Sequence, residues 1–456
     1  MEDQPLATQA SPLDIKLGME VYASETRGIG GRIRSELEDF IVEEILLDGS
    51  KASVHICMDA HQIFGRGGYL ICILIKKGSD TLTAMEKIAR HIGVDLDRIS
   101  FAGIKDAQAL TAQYISIGAV SPERAKINLE DLCLIPIRFS KEKISTKVLL
   151  GNQFNITVRS IPHNLAETHE RISETWREIS DLGGVPNFFG HQRFGTIRPI
   201  THLVGRFIVK GMFEEAVMLF LSEPGKHESS RAREAREYLL ETADFRSALK
   251  IFPRALTYER VMLRYLSKYP RDFLGALRRL PLKLRRLFVQ AYQSYLFNRF
   301  LSGRIKKGIS LNSVRKGDYV MKIGEKGLPT GISAKVEKEN LRRILSEIEK
   351  GKMALALPIV GFDQELSGGI QGEIEEEILE EEGVQPQDFK IEKMFESSMR
   401  GGLRRALSPV MNLSFKTEHS ENETIVRFKF TLYKGSYATV VLREFMKPKD
   451  PVSSGF

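Results

Sequence analysis

Apolar and polar positions along the chain fall into two regimes. In the first, residues 40–45 read as a strand, residues 52–58 alternate, and residues 69–75 are apolar throughout before closing on Lys76 and Lys77. Tyr114, Ile115, Ser116 and Ile117 continue the strand pattern, as do residues 130–139 and 147–160. In the last of these, Phe154, Ile156 and Val158 fall on one face, the core face by default. Residues 81–91 instead carry Leu82, Met85, Ile88 and Ala89 at helical spacing, and residues 164–179 form a second helix with the single Trp176. Strands alternating with single helices predict an α/β domain with a mixed sheet. Residues 1 to about 17 read as a loose tail.

The second regime begins near Arg206. Residues 207–222, 229–242, 244–251, 255–267 and 282–301 all read as helices. Residues 318–322 and 357–363 return to short strands and turns, and residues 338–351 form a surface helix of alternating charge. Seven Glu in residues 373–382 predict a solvated acidic helix. Residues 412–417 and 424–432 are strands expected to rejoin the first sheet. These boundaries divide the chain into residues 1–182, a helix-rich insertion over residues 183–408, and returning strands over residues 409–456.

With 456 residues the chain is long enough for two or three domains. A net charge of +8 favours an acidic partner, nucleic acid before others. Residues 261–307 concentrate it, with 12 Lys and Arg against the single acid Asp272. Such a run suits RNA phosphates, although an ordinary solvated helical face has the same composition. Cys57, Cys72 and Cys133 show no CxxC spacing, which argues against a disulfide scaffold or a zinc site and for a reducing compartment. The N-terminal residues lack the pattern of a signal peptide, and no apolar run approaches the ~20 residues of a membrane span. A cytoplasmic protein without membrane segments is expected. Gly28, Gly30 and Gly31 lack the strand-turn-helix context of a dinucleotide site.

The candidate chemistry sits in residues 101–117, FAGIKDAQALTAQYISI. Asp106 occupies the corner of a Gly-Ile-Lys-Asp turn, and Gly103 is expected to supply a φ that a side chain would forbid. An ionised Asp held at a strand end can act as a covalent nucleophile. Read alone, the turn is an ordinary connector. Its surroundings are not ordinary: Gly103, Lys105, Asp106, Ala109, Thr111 and Gln113 spell GxKDxxAxTxQ, which resembles the signature of the TruD-type pseudouridine synthases. GNQFNITVRS (residues 151–160) resembles that family's GNxFxIxxR, and Asn187, Phe189, Gly190, Gln192, Arg193, Phe194 and Gly195 match its NxFGxQRFG. Residues 291–304 and 436–444 resemble two further motifs. Residues 34–44 resemble K-x-x-P-E-D-F-x-V-x-E with two departures, Arg34 for Lys and Leu37 for Pro.

The resemblance implies an α/β (α+β) fold, with a pseudouridine-synthase-like catalytic domain on a mixed, largely antiparallel sheet and a helix-rich TRUD insertion domain. It implies isomerisation of uridine to pseudouridine in tRNA, commonly at U13, with Asp106 as the nucleophile. It also implies that Phe154 stacks on a flipped-out base and that Asn152 hydrogen-bonds Asp106. Arg34 is the preferred cation for Asp106, because Lys105 adjoins it in sequence and is free to point away. Asn187, Phe189, Gln192 and Arg193 are expected to support the site. His191, a lone His in that loop, is expected to be a hydrogen-bonding residue rather than a base. No cofactor, no metal and no obligatory protein partner are expected. The competing reading is a non-catalytic tRNA-binding protein or RNA chaperone on the same scaffold, which has no need of Asp106.

Overall fold

The structure is a computed structural model describing residues 9–56, 63–420 and 423–456. Helix α1 (Pro12–Lys16) precedes strands β1 (Phe40–Leu46) and β2 (Tyr69–Lys77), then helix α2 (Thr81–Ile92). Strands β3 (Ile99–Phe101) and β4 (Leu110–Gly118), helix α3 (Pro122–Ala125), and strands β5 (Ile127–Asn128), β6 (Leu132–Ser140) and β7 (Leu149–Ile161) follow. Local chemistry marks the helix ends. The Asp80 side chain accepts from the Leu82 and Thr83 amides at the start of α2, and Gly93 (φ 71°) closes it.

Helix α4 (Leu165–Leu182) and strand β8 (Val185–Pro186) lead into helices α5 (Thr201–Val209), α6 (Phe213–Ser222), α7 (Ser230–Thr242), α8 (Phe245–Ile251), α9 (Thr257–Leu266), α10 (Phe273–Arg278) and α11 (Leu282–Lys306). Strands β9 (Tyr319–Ile323) and β10 (Pro329–Lys335), helix α12 (Leu341–Glu349), strand β11 (Met353–Ile359), helix α13 (Gly369–Glu382) and strand β12 (Gly402–Arg405) come next. The chain then passes through strands β13 (Leu407–Ser408), β14 (Met411–Ser420) and β15 (Glu423–Tyr433) to helix α14 (Ala438–Met446).

Among the described residues, nine strands make one sheet in the order β14-β15-β7-β1-β4-β2-β6-β5, with β3 added to β4. All pairings are antiparallel except β1 with β4. Residues from both ends of the sequence therefore share one sheet, with β15 seated against β7. Helix α2 covers one face through Met85, Ile88 and Ile92, against Leu74, Ile115 and Ile117. A second sheet, β10-β9-β11-β12, accompanies the helices. The fold is mixed α/β with a largely antiparallel main sheet, as expected.

Several expectations are corrected. Residues 52–56 form no strand: the Val54 amide is taken by the Glu43 side chain instead of a neighbouring strand, and the chain turns there. Residues 57–58 of that expected strand, and residues 1–8 of the expected tail, lie outside the described residues. Residues 12–16 are not loose but form α1, with Asp14 buried. The single helix expected over residues 207–222 is two, broken at Gly211 with φ 71°.

The acidic helix is not a solvated one. Helix α13 buries Ile374, Glu375, Ile378, Leu379 and Glu382. Its carboxylates meet the basic helix α11, through Glu381 to Arg299 at 2.6 Å and Glu382 to Tyr292 and Tyr295 at 3.1 Å. Helix α11 is buried on most of its circumference, the pattern of a central core helix. Its crossing with α5 is close enough that a Cβ on Gly205 would lie 2.0 Å from the Phe288 carbonyl oxygen.

Candidate active site

The Asp106 turn lies between β3 and β4 and is held from several sides. The buried Thr81 hydroxyl accepts the Lys105 amide at 2.9 Å and donates to Gln113 Oε1 at 3.1 Å. Gln113 Nε2 donates to the Gly103 carbonyl at 3.1 Å. The fully buried Lys76 donates through Nζ to the carbonyls of Asp106 (2.8 Å) and Ser79 (2.7 Å). Burial pulls the Lys76 pKa down to about 8, against the opposing charges of Asp106 and Asp80. The expectation for Gly103 is corrected: its φ is outside the left-handed region, and a Cβ there would meet only Lys105 Nζ, at 3.9 Å. The turn is shaped by Thr81, Gln113 and Lys76.

Arg34 Nη2 stands 3.0 Å from Asp106 Oδ2. The Asp106 side chain is 40% exposed and the Arg34 side chain 8%. Arg34 adopts φ 57°, donates through Nη1 to the Gly455 carbonyl at 2.7 Å, and lies 4.0 Å over the Phe40 ring. Burial lowers its pKa and the Asp106 charge works against that. Lys105 turns away from the carboxylate, 2.8 Å from Glu44 Oε1 and 2.8 Å from Asn152 Oδ1. Among the described residues no hydrogen bond joins Asn152 to Asp106, which corrects the implied one. Glu44 and Asn152 face each other across β1 and β7, so the Lys105 ammonium captures the Asn152 oxygen.

Asp106, Lys105, Asn152 and Phe154 line a cavity of about 480 Å³ together with Gln192, Arg193 and residues 436–439. Phe154 is a core residue as well as a lining one, 5.5 Å from Phe430 in a stacked pair and 6.3 Å from Phe40 edge-on. Gln192 Oε1 accepts from Thr439 at 3.1 Å, and Arg193 donates to Ser294 Oγ at 3.2 Å and Gln290 Oε1 at 3.4 Å.

Asn187 and Phe189 do not line this cavity. Asn187 accepts from Arg404, at 2.6 Å through Oδ1 and 2.9 Å through its carbonyl. Phe189 is buried against Phe297 and Tyr437, and its backbone is held by both ends of the Asn298 amide. His191 is buried outside the cavity, with Nε2 2.7 Å from Asp14.

Sequence reasoning missed Lys76, Phe40, Leu287, Tyr437 and Arg404. Tyr437 stands in the legible closing motif. A lysine ending an otherwise apolar strand was the one signal for Lys76, and nothing marks Leu287. Among the described residues no group of three or more His, Cys, Asp or Glu is gathered for a metal ion.

The comparisons agree along the chain. The family model described as tRNA pseudouridine synthase D (TruD) matches residues 16–445. A Methanosarcina barkeri protein named "Probable tRNA pseudouridine synthase D" is 40% identical over 445 residues, 96% of this chain and 98% of that one. A Thermococcus sibiricus protein of the same name is 38% identical over 432 residues, 93% of this chain and 97% of that one. A crystal structure from Methanosarcina mazei bearing the same family name matches with a TM-score of 0.81 at 39% identity, covering 96% of this chain and 98% of that one. The chain belongs to the tRNA pseudouridine synthase D (TruD) family.

Proposed function

We propose that this isomerase converts one tRNA uridine, U13 of the D arm, to pseudouridine, using Asp106 as the nucleophile on a base turned out of its helix. The observation that carries the reading is the Asp106 carboxylate, accessible at the cavity wall and joined at 3.0 Å to a guanidinium that is itself nearly inaccessible. A buried cation beside an exposed carboxylate holds that carboxylate in one orientation through a charge-assisted hydrogen bond. It acts as positioning machinery rather than as a surface salt bridge.

In this reading the uridine leaves its stack at a cost of a few kcal/mol. Stacking on Phe154 returns ~1–3 kcal/mol. Asp106 attacks C1′, or removes the neighbouring C2′ proton, as the C1′–N1 bond breaks and its electrons pass to the uracil. The uracil rotates, and C5 bonds to C1′ as the Asp106–C1′ bond breaks or the proton returns to C2′; C5 then loses its proton and N1 gains one. Substrate and product are isomers, so the reading assigns no redox partner and no group donor. Arg34 fills the role of the family's Lys. Lys105 and Glu44 hold Asn152 on the cavity wall. The substrate is tRNA, the setting the cytoplasm, and no protein partner is assigned.

The test is incubation with an unmodified tRNA transcript, followed by carbodiimide primer extension. A new stop reporting the D-arm uridine is expected with the wild-type protein and none with Asp106→Asn, while tRNA affinity stays within about threefold, less than the tenfold that 1.4 kcal/mol represents. Loss of binding together with activity would make Asp106 structural.

A further inference from the structure

The fold neutralises most of its deeply buried guanidiniums with carboxylates. Arg236 meets Glu228 and Glu259, Arg304 meets Asp318, and Arg443 meets Asp14, each within 2.9 Å. Arg193 and Arg404, partly buried, have no such partner among the described residues. Both lie against the Phe189 ring, with Cζ 5.8 and 4.0 Å from its centroid. Arg404 Nε and Nη2 are spent on the Asn187 and Gly435 carbonyls and the Asn187 side chain, and Arg193 Nε and Nη2 on Ser294 and Gln290. Nη1 of each donates to none of the described residues. Burial lowers the pKa of both, that of Arg404 to about 10, with the Arg193 charge as a further cause.

Two cations gathered on one ring, partly buried and without a carboxylate, are placed to take an anion from a ligand. Their placement identifies that anion. Arg193 lines the cavity that holds Asp106. Arg404 lines the adjoining cavity of about 250 Å³, and Ser436 belongs to the walls of both. A strand whose uridine enters the first cavity can run past this shared wall. Guanidinium forks match phosphate oxygens in geometry as well as charge.

We propose that Arg193 and Arg404 form a phosphate site that grips the RNA backbone beside the flipped uridine. Naming the strand rests on the pseudouridine-synthase reading; the anion site itself does not. The ligand is a phosphodiester of single-stranded RNA. Asn187 and Phe189 thereby acquire a role outside the cavity, as the platform that holds the Arg404 head in place.

The experiment is a set of D-arm RNAs, each with one methylphosphonate that removes the charge of a single phosphate, titrated against wild type, Arg404→Lys and Arg404→Gln. One position next to the target uridine should weaken wild-type binding about tenfold, as losing a charge-assisted hydrogen bond would. Arg404→Gln should be indifferent to that same substitution and should lower the salt slope of affinity by ~0.7. Arg404→Lys should retain part of the sensitivity. A wild-type scan that is flat near the uridine overturns the site, and needs no variant to fold. Equal sensitivity of wild type and Arg404→Gln at every position overturns it too. If the scan singles out a phosphate while no uridine is isomerised, the phosphate site stands and the enzymatic reading falls. Isomerisation with a flat scan removes only the phosphate site.

Discussion

Arg34 answers to three neighbours at once, the Asp106 carboxylate, the Gly455 carbonyl and the Phe40 ring, from a backbone at φ 57°. A non-glycine residue in that region stores about 1–3 kcal/mol of strain, which its surroundings must over-determine. Arg34→Met is expected to slow single-turnover isomerisation by about 10²–10³-fold, the scale for losing one preorganised electrostatic partner, with tRNA affinity nearly unchanged. Arg34→Lys should fall between the two, because an ammonium lacks the planar fork that serves Asp106 and Gly455 together. Equal rates for wild type and Arg34→Met would remove Arg34 from the site. The sequence made Arg34 and Asp106 legible because spaced motifs mark both. It did not reveal Lys76, since a lysine at a strand end normally projects into water. Nor did it reveal that Asn152 faces Lys105, because that depends on which residue of β1 lies opposite it.

Among the elements, α11 was legible as a helix from its periodicity, but its burial was not. Twelve cations in residues 261–307 look like a solvated face until the acids that meet them are known, and those lie outside the run, Glu20 before it and Asp318, Glu381 and Glu396 after it. Helix α13 was misread for the mirror-image reason. Gly205 gives the packing of α5 on α11 a sharp test. Gly205→Ala drives a Cβ into the Phe288 carbonyl oxygen, 2.0 Å away in the present packing. It is expected to cost about 3 kcal/mol, at the upper end for overpacking, read as a lowered urea midpoint. His202 on α5 gives the pH counterpart. It stacks on Tyr295 at 5.1 Å, and burial lowers its pKa from 6.5 to about 4. The unfolded chain therefore takes up a proton that the folded one refuses. Its contribution is fully present above pH 6.5 and is lost as the pH falls towards 4, about 3 kcal/mol in all. His202→Phe should remove this acid limb from urea titrations run across that range. Comparison with wild type separates it from buried Glu375, whose carboxyl is pushed up to about 7 and which acts in the opposite direction.

At the scale of the whole molecule, the basic run divides into cations already used and cations still free. Arg285 is held by Glu396 at 2.5 Å, Arg299 by Glu381, Arg304 by Asp318, and Lys306 by Glu20. Arg264, Lys268, Arg271 and Lys283 are exposed, and among the described residues they form no ion pair. Arg285→Gln should therefore lower stability and leave the salt slope of tRNA affinity unchanged. Replacing Lys268 and Lys283 should lower the slope by ~0.7–0.9 for each phosphate no longer neutralised; an unchanged slope would move the RNA to another face. The main sheet has a further consequence, for the order of synthesis. Strand β7 takes β15 as its neighbour more than 260 residues after it is made, and Arg34 draws a partner from Gly455. During translation β7 waits with an open hydrogen-bonding edge, the kind that recruits wrong partners, while the helices between are threaded out and packed. The carboxylate and its cation can be made early in translation, but their pairing is completed only near the end. A nascent chain stalled before residue 423 would hold Arg34, Asp106, Asn152 and Phe154 but lack residues 436–439 of the cavity wall and the Gly455 partner of Arg34.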